Sequence, residues 1–448
     1  MAVQDLQEAV AWKEKEKIIF RFFFLYFLIQ ALPLDANYFQ TVFSIRWLHL
    51  QYNDIFNLTR FAPSFIPGPD SWLNWLVVAV AAAAGTVVWT LADKKTASYN
   101  RLYYWLRVLL RYRLAIGIIG YGFIKFFPLQ APYPSLSNLN TSYGDFTRWK
   151  LFSLSLGIVP SYESFLGLVE IVAGLLLFYR KTTPVAAFIV LLFTGNVFMS
   201  NLAYEGGEAV YSLYLVSIAL FLLAYDAPRL ARLLILQQPA TPNRFRPVFR
   251  QWQRYARWGV KVVVIVFFVV LYGFTTREGY RHAPYQFPQT KGLSKAAGVY
   301  NVSLFVLNRD TLLYSRTSPI RWQDVVFEQW STLSIRSNRP VVIDSTNMEQ
   351  LAPVPDIDKN YELQGTAGRH YYYYQADTAK QLLLLQNKNR HYRDEKWVLH
   401  YERPDSATIV LSGFNQARDS VYVVLNKLKK KYVLQEVEKQ GRIKPLKL

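Results

Sequence analysis

The sequence predicts an all-α polytopic membrane bundle of about seven spans, followed by a C-terminal antiparallel β domain, a lipocalin-like barrel or a sandwich. Three observations carry that expectation. Apolar residues concentrate before residue 275, in runs close to the length that crosses about 30 Å of hydrocarbon. Lys and Arg fall in short blocks between those runs. Beyond Phe274 the pattern changes to short alternating runs rich in β-branched and aromatic residues, separated by turn residues.

Composition narrows the function classes. The chain has 448 residues, a formal net charge of +20, 16% aromatic residues and no cysteine. Such a charge points either to nucleic acid or to membrane topology, and the short basic blocks between the apolar runs favour topology. The lipid bilayer is therefore the expected partner, and nucleic acid is not. Without cysteine the chain forms no disulfide, thiolate metal site or dithiol relay. His49, His282, His370, His391 and His400 show no metal-ligand spacing, so no metal is expected and the residues name no cofactor.

In chain order, a polar lead-in to Lys17 precedes the first span, Ile18 to Leu34, with Arg21 near its start. A loop closing on the Pro/Gly-rich FAPSFIPGPD leads to the second, Trp72 to Leu91, with tryptophans where interfacial belts place them. The third runs from Tyr103 to Phe127, and Arg107, Arg111 and Arg113 mark its first part as interfacial. A polar loop, Pro128 to Glu163, follows; its KLFSLSLGIVP is apolar but too short to span and is expected at the interface. Spans four to six cover Ser164 to Tyr179, Val185 to Ala203 and Ala209 to Tyr225, and the seventh is Gly259 to Phe274. The boundaries are 1–102 for a two-span segment, 103–232 for a four-helix core, 233–274 for a basic loop with the last span, and 275–448 for the β domain. Its expected strands include VSLFVL, DVVFEQW, PVVID, HYYYYQ, QLLLLQ, KWVLHYE, TIVLSGF, DSVYVVLNKL and KYVLQE, with NKLKKKYVL read as a charged edge.

Loop charge sets the orientation. With a cytoplasmic N-terminus, KEKEK, DKKTASYNR, RKTT and the arginine-rich loop from Arg229 to Arg257 all lie inside, as the positive-inside bias requires. The β domain is then extracytoplasmic.

Polar residues within spans are the candidates for chemistry, because burying them in lipid costs a few kcal/mol unless they find partners or line a cavity. Glu170 shares a helical face with Gly167 and Gly174, a face suited to close helix approach. It reads either as a proton-transferring or ligand-binding acid or as half of a buried ion pair. Lys125, a turn beyond Tyr121, is the partner at matching depth. Asn196, Asn201 and Tyr204 lie toward the outer end of the fifth span, and Asp145 in the outer loop is placed to fold over them. Lys125 and Glu170 are the expected catalytic pair, with Asp145, Asn196, Asn201, Tyr121 and Tyr204 as ligand contacts in a polar pocket facing outward.

RYRLAIGIIGYGFIKFFPLQAPYP, SYGD, SYESFLGLVEIVAGLLLFYRKTT, GNVFMSNLAY and LFLLAYDAPRL resemble the longer bacterial DoxX-like membrane proteins. The matching positions are Tyr121, Gly122, Lys125, Tyr143, Gly144, Asp145, Tyr162, Phe165, Gly167, Glu170, Arg180, Thr182, Asn196, Asn201, Tyr204, Asp226 and Arg229. The likeness spans roughly a quarter of the chain. It lapses at FTRWKL after YGD, and at YEGGEA, where such proteins carry an Asp-Val-Pro-x-Lys run. What the resemblance implies is a bacterial inner-membrane protein with a DoxX-like four-helix core and a link to quinone-coupled redox chemistry. More distantly the bundle is similar to the membrane part of vitamin K-dependent carboxylases, a likeness of fold only. Two functions stay open: an oxidoreductase-type subunit holding a quinone or other lipid-soluble ligand, and a non-enzymatic module presenting a lipid or partner protein through the β domain.

Overall fold

Leu73–Ala92 shows why this chain is helical where it is apolar: twenty residues with an alanine-rich centre and no charge, in which the interior backbone groups pair within the segment and expose only apolar side chains. The computed structural model describes residues 12–440 except 35, 63–64, 67–70, 242–244, 246, 248, 283, 346–350 and 352–353. Most of FAPSFIPGPD, together with Arg244 and Arg246, lies outside the described residues. The helices are α1 Glu14–Ala31, α2 Ala36–Ser44, α3 Tyr52–Thr59, α4 Leu73–Ala92, α5 Asn100–Phe126, α6 Leu136–Leu139 and α7 Arg148–Gly157. Next come α8 Pro160–Leu177, α9 Thr183–Tyr204, α10 Ala209–Ala224, α11 Ala227–Leu230, α12 Gln251–Ile265, α13 Tyr272–His282 and α14 Val433–Gln440. Between α12 and α13, Val266–Leu271 forms π-helical turns.

Four helical stretches among the described residues are long and apolar enough to cross a membrane: Leu73–Ala92, Pro160–Leu177, Arg180–Tyr204 and Gln251–His282. A fifth is added if Ala209–Ala224 and Ala227–Ile235, bent by 64°, form one span. Helices α1 and α5 cover the other two expected spans and are charged: Glu14, Lys15, Glu16, Lys17 and Arg21 in the first, Arg101, Arg107, Arg111, Arg113 and Lys125 in the second.

The chain forms two compact units, one of residues 1–127 with 164–280 and one of 128–163 with 281–448. The loop that the sequence places in the membrane core thus builds the same unit as the β domain. In the helical unit, α5 is central and packs against α1, α3 and α10, while α1 lies on α4 and α9 on α10. The hydroxyl of Tyr272 donates to Gly120 O at 2.9 Å, tying the last helix to α5.

The second unit is a closed barrel. Strands β1 Gly298–Leu307, β3 Asp324–Phe327, β4 Thr332–Arg336, β5 Arg369–Asp377, β6 Leu382–Asn387, β7 Lys396–Glu402, β8 Thr408–Asn415 and β9 Ser420–Lys427 pair in sequence, antiparallel throughout. Pairing of β1 with β9 closes the ring, and β2, Asp310–Thr311, only extends β1. Alternate side chains point inward. Tyr300, Phe327, Leu333, Leu385, Leu411 and Val423 belong to one buried cluster. Eight strands leave an interior that side chains can fill, and here they fill it.

Several expectations change. PVVID forms no strand and makes only an isolated bridge, between Asp344 and Gln364. KYVLQE is the start of α14, and NKLKKKYVL is no edge: Lys427 ends the closing strand, paired on both sides. Its lysines follow the strand rather than guarding it. The KLFSLSLGIVP stretch forms α7 within the barrel unit, where Lys150 is fully buried. TLSIR, missing from the expected strands, is β4. Its residues alternate, but the run is short and holds only two apolar residues, and its polar face is buried as well.

Candidate functional site

Tyr121 and Lys125, four apart, share one face of α5. Opposite stands Gly167 of α8, where a Cβ would collide with backbone atoms of Gly122, Lys125 and Phe126. The two helices therefore meet backbone to backbone, as small residues permit. That contact sets Lys125 Nζ 2.5 Å from Glu170 Oε1, with side chains only 10% and 7% exposed. The other carboxylate oxygen, Glu170 Oε2, is buried with no hydrogen-bond partner among the described residues.

A second acid–base pair adjoins the first. Arg60, just past α3, forms an ion pair with Glu208 at the start of α10. The Tyr121 hydroxyl donates to Glu208 Oε2 at 3.2 Å, and Lys125 Nζ lies 5.9 Å from the centre of the Tyr121 ring. Tyr121 thus stands between the two pairs. Its ring also rests against Tyr211, 5.7 Å between centres.

Behind Tyr211 is Arg113, buried within the bundle. It donates to Thr59 O at 3.0 Å and to Phe61 O, closing the C-terminal end of α3, where carbonyls lack helical partners. Its guanidinium sits 4.3 Å from the Phe61 ring centre and 5.3 Å from that of Tyr214. Hydrogen bonds and aromatic faces offset its desolvation.

The remaining candidates divide. Asn201 serves a turn: its Nδ2 donates to Val197 O at 2.9 Å, and its Oδ1 accepts from Glu208 N at 3.1 Å. It therefore positions Glu208. Tyr204 is 40% exposed. Asn196, expected to face inward, is exposed on the same side of α9 as Leu192 and Met199. The packed face runs through Thr183, Ala186, Ala187, Val190 and Thr194, and two residues beyond Thr194 points the other way. Asp145 lies in the barrel unit. Its carbonyl accepts from Ala367 N at 2.7 Å, and Gly368, at φ +74°, runs against its carboxylate. A side chain at Gly368 would be strained in that left-handed conformation. Glu208 and Arg60, and the buried contacts of Arg113, were missed by sequence reasoning. The only signal was placement, a charge next to an apolar run or inside a basic one.

The barrel unit buries its own charged cluster, between its strands and residues 128–163. Glu163 Oε1 accepts from Gln130 N at 3.1 Å and Ala131 N at 3.0 Å, closing the neck of this insertion. Glu328, after β3, accepts from Ser137 N at 2.7 Å, Ser137 Oγ at 2.6 Å and Leu136 N at 3.2 Å. Lys388 and Glu362 pair at 2.9 Å with no side-chain exposure, and Trp330 Nε1 donates to Glu362 at 2.8 Å. Lys150 Nζ donates to Tyr361 O and lies 3.7 Å from the centre of that ring. Burial, reinforced by the Glu362 charge, pushes the Glu328 carboxyl up to about 7. Burial likewise pulls the Lys150 ammonium down to about 7, against the pull of Glu362.

Fold and site define a helical bundle with membrane-length helices and buried acid–base pairs, joined in one chain to a closed, side-chain-filled barrel. No protein-family model, curated protein or solved structure matches the chain.

Proposed function

We propose that this is a DoxX-like bacterial inner-membrane protein of seven spans that holds a quinone-type or other lipid-soluble ligand in an outer-leaflet pocket of its bundle, as an oxidoreductase-type subunit. The observation carrying this reading is Glu170 Oε2, a buried acceptor without a donor beside a paired lysine. A ligand hydroxyl, as on a quinol, would donate to it. Lys125 and Tyr121 are the nearby donors for a carbonyl, and Glu170 is the proton acceptor. An apolar groove lined by Tyr38, Phe39, Val42, Leu58, Val263 and Phe267 offers room for an isoprenoid-type tail. It runs along the π-helical turns, a distortion frequent at functional sites.

Mass spectrometry of lipophiles carried by the gently purified protein tests this reading. A quinone-class molecule enriched over the bulk membrane, and lost from Glu170→Gln, is expected. No enrichment in the wild type sinks it. The orientation is checked separately by a reporter fused after Phe274, active only outside the cytoplasm.

A second reading, docking of a partner protein on the barrel, has one observation in its favour. Leu384, Val398 and Phe414 are 46%, 49% and 57% exposed and lie in register across β6, β7 and β8. The filled interior supports no lipid carried inside the barrel. A partner co-purifying with wild type but not with Val398→Lys distinguishes this reading from the first.

A further inference from the structure

The helical unit gathers guanidinium groups at the end opposite Lys125 on α5. Arg107 and Arg111 are one turn apart on that helix, on the side of Tyr104. Arg180, leading into α9, donates to Phe245 O at 2.9 Å and lies 5.8 Å from the Tyr104 ring centre. Arg257 of α12 sits 4.3 Å from the centre of Phe249, which itself packs against Tyr104 at 6.2 Å and Trp105 at 5.9 Å. Arg107, Arg111 and Arg180 are near enough to repel one another, and Tyr112 feels both Arg111 and Arg257.

Among the described residues, one carboxylate pairs with any of these four cations. Asp226 Oδ2 is 3.8 Å from Arg107, whose guanidinium also stacks 3.3 Å from the centre of Tyr225. Arg111 has no ion pair and no side-chain hydrogen bond among the described residues, and the Nε of Arg107 and of Arg111 is buried without an acceptor. Arginines on a solvated face would turn these donors to water. Here aromatic rings hold them in place, with donors left over and positive charge in excess.

Depth identifies what supplies the anion. Trp105 is 47% exposed, and on α12 Trp252, Tyr255 and Trp258 are 64%, 70% and 67% exposed. Exposed Trp and Tyr on membrane helices sit at headgroup level, and arginine forks match phosphate oxygens pairwise.

We infer that Arg107, Arg111, Arg180 and Arg257 form a binding site for a phosphate ester, supplied by the headgroup of an anionic phospholipid. The site lies at the other end of α5 from the acid–base pairs and does not depend on what those bind.

Native mass spectrometry on protein released from bilayers of equal phosphatidylglycerol and phosphatidylcholine tests the assignment. Wild type should retain phosphatidylglycerol selectively. Arg111→Gln and Arg257→Gln, on different helices, should each lower that retention about tenfold, a loss of about 1.4 kcal/mol, with unchanged melting temperature. Arg254→Gln removes the same charge from an exposed position on α12 and should retain the lipid as wild type does. Competition by millimolar inorganic phosphate, with adducts of phosphate alone, would support the phosphate site but assign it to the free ion instead of the lipid. Equal retention of both lipids, or equal losses in Arg254→Gln and Arg111→Gln, would overturn the site.

Discussion

Lys125 and Glu170 share a contact that neither can leave cheaply. Removing one partner of a buried pair strands the other charge, at about 3–5 kcal/mol. Lys125→Met and Glu170→Gln should each lower the melting temperature of the detergent-solubilised protein, and the double change should recover part of the loss. Strictly additive losses would show that the charges are not coupled. In the barrel unit the decisive residues titrate instead. Glu328 gives up its proton near 4.5 in an unfolded chain and near 7 in place, so the folded state binds the proton more firmly between those values. Stability therefore falls as pH rises through that window. Lys150 behaves in the opposite sense. Its usual 10.5 drops to about 7, so from pH 7 to 10.5 the unfolded chain holds a proton that the folded unit has shed, and stability rises. These two residues together predict a stability minimum near neutrality. Glu328→Gln should flatten the acid limb and Lys150→Met the alkaline limb in denaturant melts taken across pH.

Helix α9 teaches the limits of pattern at the scale of elements. Its residues are apolar all round, so no stripe announces which face packs, and only the chemistry of the amide points Asn196 inward. With the residue exposed beside Leu192 and Met199, Asn196→Leu should change stability by less than about 0.5 kcal/mol, the range of surface substitutions. A large loss on melting would mean that the amide is held by a partner. Elsewhere the sequence is more telling. Gly167 and Glu170 mark the α5–α8 contact, because a small residue and an acid on one face of a membrane-length helix are stable together only where another helix covers them. The short runs of β-branched and aromatic residues in KWVLHYE and TIVLSGF reveal strands, and their burial alternates between the two faces. TLSIR alternates too, but over five residues and with only two apolar ones it is a weak signal. Its polar face is nevertheless buried, Ser334 Oγ lying 2.8 Å from Ser137 Oγ and Thr332 Oγ1 accepting from Lys388 Nζ at 3.3 Å. Arg113 and Glu208 are invisible for a different reason. Their partners come from α3 and α5, and no local pattern encodes a contact so distant in sequence.

At the scale of the molecule, the second unit draws on two separated stretches of chain. A fragment beginning at Arg281 contains every strand but lacks Ser137, Asn138 and Lys150, leaving Glu328 without its donors. Residues 281–448 alone should therefore be less stable than the same fragment joined through a flexible linker to 128–163. The measurement is a denaturant midpoint, and equal midpoints would show that the insertion only decorates the barrel. Both proteins should give β-type circular dichroism.

The strand pairing that closes the barrel also imposes an order on biosynthesis. Residues 128–163 leave the ribosome long before β9, whose pairing with β1 completes the ring. At about 5–20 residues per second, the insertion waits on the order of ten seconds or more while the later helices are made. During that interval Ser137 and Lys150 face solvent with nothing to cover them. A ribosome stalled short of Ser420 would leave β1 and β8 as open edges, and open edges are where chains pair with the wrong neighbour. The last strand is thus the point at which a nascent chain becomes safe from its neighbours.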